Sequence, residues 1–268
     1  MADPAPLPFI ARDSDVEALT ACWELAQQGQ SQTVLLSAPR YGGKRGVVSE
    51  FLRQTAASDQ DVLVWRAQFS ESENGLQTLL RLYAGLYAGL HRKPVFRGKV
   101  EMALNSEIPR VEPRVQQWYK HFIDALKTGA PKPGEQGFQV SLPRDNPLIA
   151  LVEIAAGIAR KFPVLLELQD LQHTQSVPVF TWLESMLAEC QASKLLTVLT
   201  MEPAPEDRPS WYSYPLTDFL ERAGEDLMRQ EVAPWTPVEV GQHLASRDRE
   251  ADPAHLCEVA MGRPLLVQ

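Results

Sequence analysis

Gly42, Gly43 and Lys44, in the run "LLSAPRYGGKRGVVSEFLR" (35–53), stand where an apolar strand gives way to a helix, and that combination can hold phosphate. In the pattern G-x-x-x-x-G-K-[ST], glycines let backbone N–H groups wrap phosphate oxygens and the lysine neutralises the β and γ groups. The hydroxyl residue after the lysine ligates Mg²⁺ at the helix N-terminus. This chain keeps only the second half of the pattern. Ala38 stands for the first glycine and Arg45 for the hydroxyl, with Arg40 and Tyr41 in the middle of the loop. Those two either line bound phosphates or fold over the loop and close it. Alone, the same residues also describe an ordinary glycine-rich turn with a surface lysine.

A second apolar run, "PVLLELQDLQ", ends far downstream at Gln169 and Asp170. Its context is that of a Walker B strand, where one carboxylate holds the metal's water shell and the next acid positions the attacking water. Gln169 replaces the metal-serving acid, which leaves Asp170 as the single catalytic candidate. A lone aspartate there also fits a helix cap or a loop. Arg45 and Gln169 occupy the two positions that would jointly anchor Mg²⁺, and both have lost metal-ligating chemistry. The expectation is a site without Mg²⁺ and without efficient hydrolysis. Arg45 either pairs with phosphates in place of the ion, using its rigid fork of donors, or points to solvent at an unfavourable dipole end.

Composition sets the frame around these residues. A chain of 268 residues can bury one large α/β core plus a small appendage. Its 44% hydrophobic and 22% charged residues are those of an ordinary globular protein, and a net charge of −8 argues against a nucleic-acid surface. Cys22, Cys190 and Cys257 form no CxxC pair and read as reduced thiols of a cytoplasmic protein. "MADPAPLPFIARD" has no signal-peptide pattern, and no apolar run approaches the roughly 20 residues of a membrane helix.

The elements that must position the site follow from periodicity. "DVEALTACWELAQQG" reads as a helix carrying Val16, Leu19, Trp23 and Leu25 and stopping at Gly29. Strands are expected at 32–38, 61–69, 163–169, 194–201 and 226–233. Helices are expected over 75–90, where "YAGL" recurs by coincidence of spacing, and from Pro147, capped by Asn146. Strands separated by helices imply a parallel sheet covered on both faces. Residues 1–8 read as a mobile arm and 9–233 as the α/β core. Within it, 91–147 reads as an insertion or elaborate connector with one helical piece, "VQQWYKHFIDALK". Residues 234–268 read as a helical lid, and the abrupt apolar end suggests a domain cut from a longer protein.

At this point the chain resembles a family. "PFIARDSDVEAL" is similar to the F-[VI]-G-R-E-x-E-x-x-x-L opening of AAA+ ATPases of the STAND and Orc1/Cdc6-like groups, with Phe9, Ile10, Arg12 and Asp13 matching and Ala11 in the glycine's place. "PVLLELQDLQHTQ" resembles their P-V-L-L-x-x-D-D-L-Q-W-A-D stretch, and "KLLTVLTMEP" their fourth strand, with Met201 and Glu202 where a sensor arginine is usual. "MGRPLL" matches the G-N-P-L lid turn through Gly262 and Pro264. The resemblance covers about residues 8–268 except 91–145. It implies a P-loop NTPase core, three-layered α/β/α with a parallel sheet, and a C-terminal helical lid. Phe9, Ile10, Arg12, Gly262 and Pro264 would enclose base and ribose of ATP or ADP, and Arg40 to Arg45 would meet the phosphates. The expected function is a degenerate nucleotide-binding module regulating or signalling within a larger protein, through other proteins or self-association. Its rivals are an active ATPase and a nucleotide-free interaction scaffold.

Overall fold

The computed structural model describes residues 12–56, 61–70, 75–127, 146–204, 212–246, 249 and 251–263. The β-branched and leucine-rich runs become five strands: β1 (Gln32–Ser37), β2 (Leu63–Gln68), β3 (Val164–Gln169), β4 (Leu195–Met201) and β5 (Met228–Glu231). All pair in parallel, in the order β2-β3-β4-β1-β5. The chain leaves β1 for the edge strand β2, returns through β3 and β4, then passes β1 to reach β5. Right-handed crossovers therefore place helices on opposite faces according to the direction of travel. On one face lie α1 (Asp13–Gln27) and α2 (Lys44–Phe51), sharing a core of Leu19, Trp23, Val47 and Phe51 with Val34, Leu36 and Leu196 of the sheet. On the other lie α3 (Gly75–His91), α4 (Pro94–Glu107), α5 (Pro113–Lys127), α6 (Pro147–Ala159), α7 (Val177–Glu189) and α8 (Tyr214–Ala223), around Trp65, Tyr83, Phe122 and Trp182. Two short helices, α9 (Pro237–Ala245) and α10 (Pro253–Val259), make their own small core with Trp235, Val240, Leu244 and Ala260.

Three local expectations change. Residues 91–127 hold two helices, not one, and both pack into the main core through Phe96, Val100, Leu104, Trp118 and Phe122. Pro94 and Pro113 open these two helices, where a missing N–H costs nothing. Asn146 precedes α6 in a left-handed conformation (φ 42°) and makes no side-chain cap bond. Leu25 falls off the buried stripe of α1 and is 38% exposed. The spacing of "YAGL" also has a use: Gly85 and Gly89, one turn apart, press α3 directly onto the backbone of β2. The stretch 128–145 of the expected connector lies outside the described residues.

One charge lies deep in the sheet. Glu167, in the middle of β3, is buried, with Arg66 opposite it on β2; Arg66 Nε is 2.7 Å from its Oε2, and Gln169 Nε2 donates to Oε1 at 2.6 Å. A lone buried carboxylate is costly, and these partners offset that cost. Gln169 is thereby turned back along its own strand.

Candidate functional site

The loop between β1 and α2 is wound around its lysine. Lys44 is buried, and its ammonium donates to the carbonyls of Ala38 (2.6 Å) and Pro39 (3.2 Å). Gly42 N–H closes a turn onto Pro39 O at 2.9 Å, and a Cβ at Gly42 would meet Ala38 Cβ at 2.8 Å. Gly43, with φ 95°, starts α2 in a conformation that side chains avoid. The N-cap residue, Gly43, makes no side-chain cap bond, so it leaves first-turn N–H groups of the kind that hold anions at helix starts. Burial holds the Lys44 ammonium below the ordinary lysine range, against the opposing pull of Glu202 and Asp170.

Tyr41 also has positive φ, 67°, although it is not a glycine. It is exposed, and the Arg40 guanidinium stacks over its ring at 5.2 Å. A left-handed conformation costs a non-glycine residue about 1–2 kcal/mol. Tyr41→Gly is therefore expected to be about 1 kcal/mol more stable than Tyr41→Ala, since both lose the ring and only one keeps the strain. Equal melting midpoints for the two variants would mean that the loop changes shape instead.

Parallel strand order brings the downstream residues to this loop. Asp170 follows β3, itself at φ 60°, and its N–H donates to Thr200 Oγ1 of β4 at 3.2 Å. Its Oδ2 accepts from Arg45 Nη2 at 2.7 Å and from Gln68 Nε2 at 2.9 Å. Arg45 is thus neither against solvent alone nor free for a phosphate. Its cation, in the first turn of α2 where the helix dipole is unfavourable, is held by the carboxylate. The ion pair is lopsided, with side-chain exposures of 58% for Arg45 and 15% for Asp170. Gln68 and Thr200 were not picked out as site residues in the sequence. Their only signal is position, at the C-terminal ends of β2 and β4.

The residues present do not fit Mg²⁺. The position after the lysine is a cation, Gln169 is engaged by Glu167, and Asp170 is engaged by Arg45 and Gln68. They do fit a phosphate, given an uncapped helix start and a buried ammonium whose present partners are neutral carbonyls.

Arg12 stands at the start of α1. It is buried, Asp15 Oδ2 stands 3.9 Å from its Nη1, and Nε and Nη2 have no hydrogen-bond partner among the described residues. Burial lowers its pKa, against Asp15 and Glu239, the latter from the first turn of α9. Gln230 of β5 donates to Asp15 Oδ1 at 2.6 Å. Gly262 (φ 63°) packs within the C-terminal helical pair, where a Cβ would strike Pro234 and Trp235 O at 2.6 Å. Phe9, Ile10 and Pro264 lie outside the described residues.

The parallel sheet with helices on both faces is a three-layer α/β/α core, with the glycine–lysine loop after the interior strand β1 and the Asp170 turn two strands away. No family model matches the chain, and no curated protein matches it in sequence. Among solved structures it is similar to a Walker-type ATPase of Pyrococcus abyssi, at 13% identity and a TM-score of 0.46, over 96% of this chain. The chain spans 65% of that neighbour's length. The fold assignment rests on strand order and loop position. Among the described residues no helix is long and apolar enough to cross a membrane.

Proposed function

We propose that this chain is a degenerate nucleotide-binding module of the AAA+/STAND type, which binds ATP or ADP without Mg²⁺ and hydrolyses it inefficiently. The ion pair of Arg45 with Asp170, at 2.7 Å, carries this reading. In an active site of this class the hydroxyl after the lysine and the Walker B acid meet through a metal. Here position 45 carries a cation and position 169 a glutamine, and the cation pairs with the acid that remains, Asp170. Lys44 and the first-turn N–H groups of α2 remain to hold phosphate. Such a module acts as a regulatory or signalling part of a larger assembly, through other proteins or through copies of itself. The nucleotide-free scaffold is a second reading, favoured by one observation: Lys44 and Arg45 both already have partners inside the protein.

Isothermal titration with ATP, in Mg²⁺ and in EDTA, tests the proposal. Affinities within about twofold of each other are expected, with phosphate release no faster than that of Lys44→Ala. Tight binding that collapses on chelation, or turnover that Lys44→Ala abolishes, would establish an active ATPase. No heat in either buffer would favour the scaffold.

A further inference from the structure

Two of the loop's three cations are paired within the protein, Lys44 with loop carbonyls and Arg45 with Asp170. We propose that the Arg45–Asp170 pair is an autoinhibitory latch: a polyphosphate can recruit Arg45 only by taking it from Asp170. This rests on the nucleotide-binding reading and adds the regulation of that site. Three observations support it. Arg45 is the more exposed partner, so its guanidinium is the arm able to move, whereas Asp170 is fixed. Asp170 is held through its backbone N–H by Thr200 Oγ1 and through Oδ2 by Gln68. Arg45 is also the residue next to Lys44, on the helix turn whose N–H groups are uncapped, so leaving the carboxylate keeps it beside any bound phosphate.

The turn that carries Asp170 is braced further along. Asp170 O accepts from His173 N–H at 3.0 Å in the short 3₁₀ turn Leu171–His173, and Gln172 Oε1 accepts from Glu202 N–H at 3.2 Å. Thr174 O accepts from Ser213 Oγ, the residue preceding α8, at 3.1 Å. These bonds brace the Asp170 turn against the starts of α7 and α8, so the carboxylate keeps its place when Arg45 leaves.

The latch makes a specific expectation. Removing an acid that only positions the attacking water changes turnover and not affinity; here Asp170→Asn should strengthen binding. Asparagine tolerates the left-handed backbone at this position, so the variant keeps the turn. ATP is titrated in EDTA into four proteins: unchanged, Asp170→Asn, Arg45→Thr and the double variant, each checked for an unaltered melting midpoint. An exposed pair of this kind predicts about a two- to fivefold gain for Asp170→Asn. Arg45→Thr should lose affinity, and Asp170→Asn should have no effect on top of Arg45→Thr. An equal gain in both backgrounds would show plain repulsion of phosphate by Asp170 and overturn the latch, leaving the nucleotide-binding reading intact. A loss of affinity in Asp170→Asn would do the same. If none of the four proteins binds ATP or inorganic tripolyphosphate, both readings fall.

Discussion

Gly85→Ala is expected to destabilise the protein by about 2–3 kcal/mol, although alanine is the better helix former by about 1 kcal/mol. A Cβ at this position would land on Arg66 O, with Arg66 C at 3.0 Å and Trp65 Cδ1 at 3.1 Å. The obstacle is backbone, and β2 cannot recede. It is laddered to β3 from Leu63 to Gln68, and Trp65 Nε1 donates to Leu82 O of α3 at 2.8 Å. Gly89, one turn later, meets Val64 O and Leu63 Cδ1 in the same way. Gly98 in α4 is the control, because nothing lies within 4 Å of its added Cβ. Gly98→Ala should stabilise by up to about 1 kcal/mol. Chemical denaturation of both variants checks the pair. A Gly85→Ala protein as stable as Gly98→Ala would mean that α3 does not lie against β2 as described.

Lys44→Ala is expected to cost about 2–5 kcal/mol of ATP affinity, roughly thirtyfold or more, the range for truncating one partner of a buried charged contact. The pH dependence gives a second, independent check. Burial lowers the folded-state pKa of Lys44 below its unfolded value. Between the two, the unfolded chain holds more protons, so the Lys44 contribution to folding stability rises with pH. Phosphate binding needs the ammonium, so affinity falls as pH rises through that same window, which lies below the ordinary lysine range. Stability and affinity thus move in opposite directions, and Lys44→Ala should remove both trends. An affinity that is flat with pH up to ordinary lysine values would place the phosphate away from Lys44.

Several site features could be read before any coordinates. Gly43 and Lys44 were identifiable because a strand, a glycine pair and an amphipathic helix follow one another within a single short window, and local spacing is a property of the chain. Asp170 was identifiable for the same reason, at the end of a short apolar run consistent with a buried parallel strand. Arg45 shows the limit. Its substitution was evident, but its two expected positions, on phosphate or in solvent, both omitted Asp170, because nothing local ties residue 45 to residue 170. Arg66 and Glu167 were missed outright, since a single carboxylate in an apolar run carries no sign of where its partner lies.

Residue type and near spacing were enough to place the strands, the glycine–lysine loop, and the arginine and glutamine at positions 45 and 169. Helix packing was decided by tertiary structure: Pro94 and Pro113 became helix starts because the segments they open have apolar faces that the main core buries. The character of the site was decided there too. Only the order β2-β3-β4-β1-β5 carries Gln68, Asp170 and Thr200 to the mouth of the loop. Once there, Arg45, at the unfavourable end of its helix dipole, lies within reach of a fixed carboxylate, and the two charges pair because each lowers the other's cost.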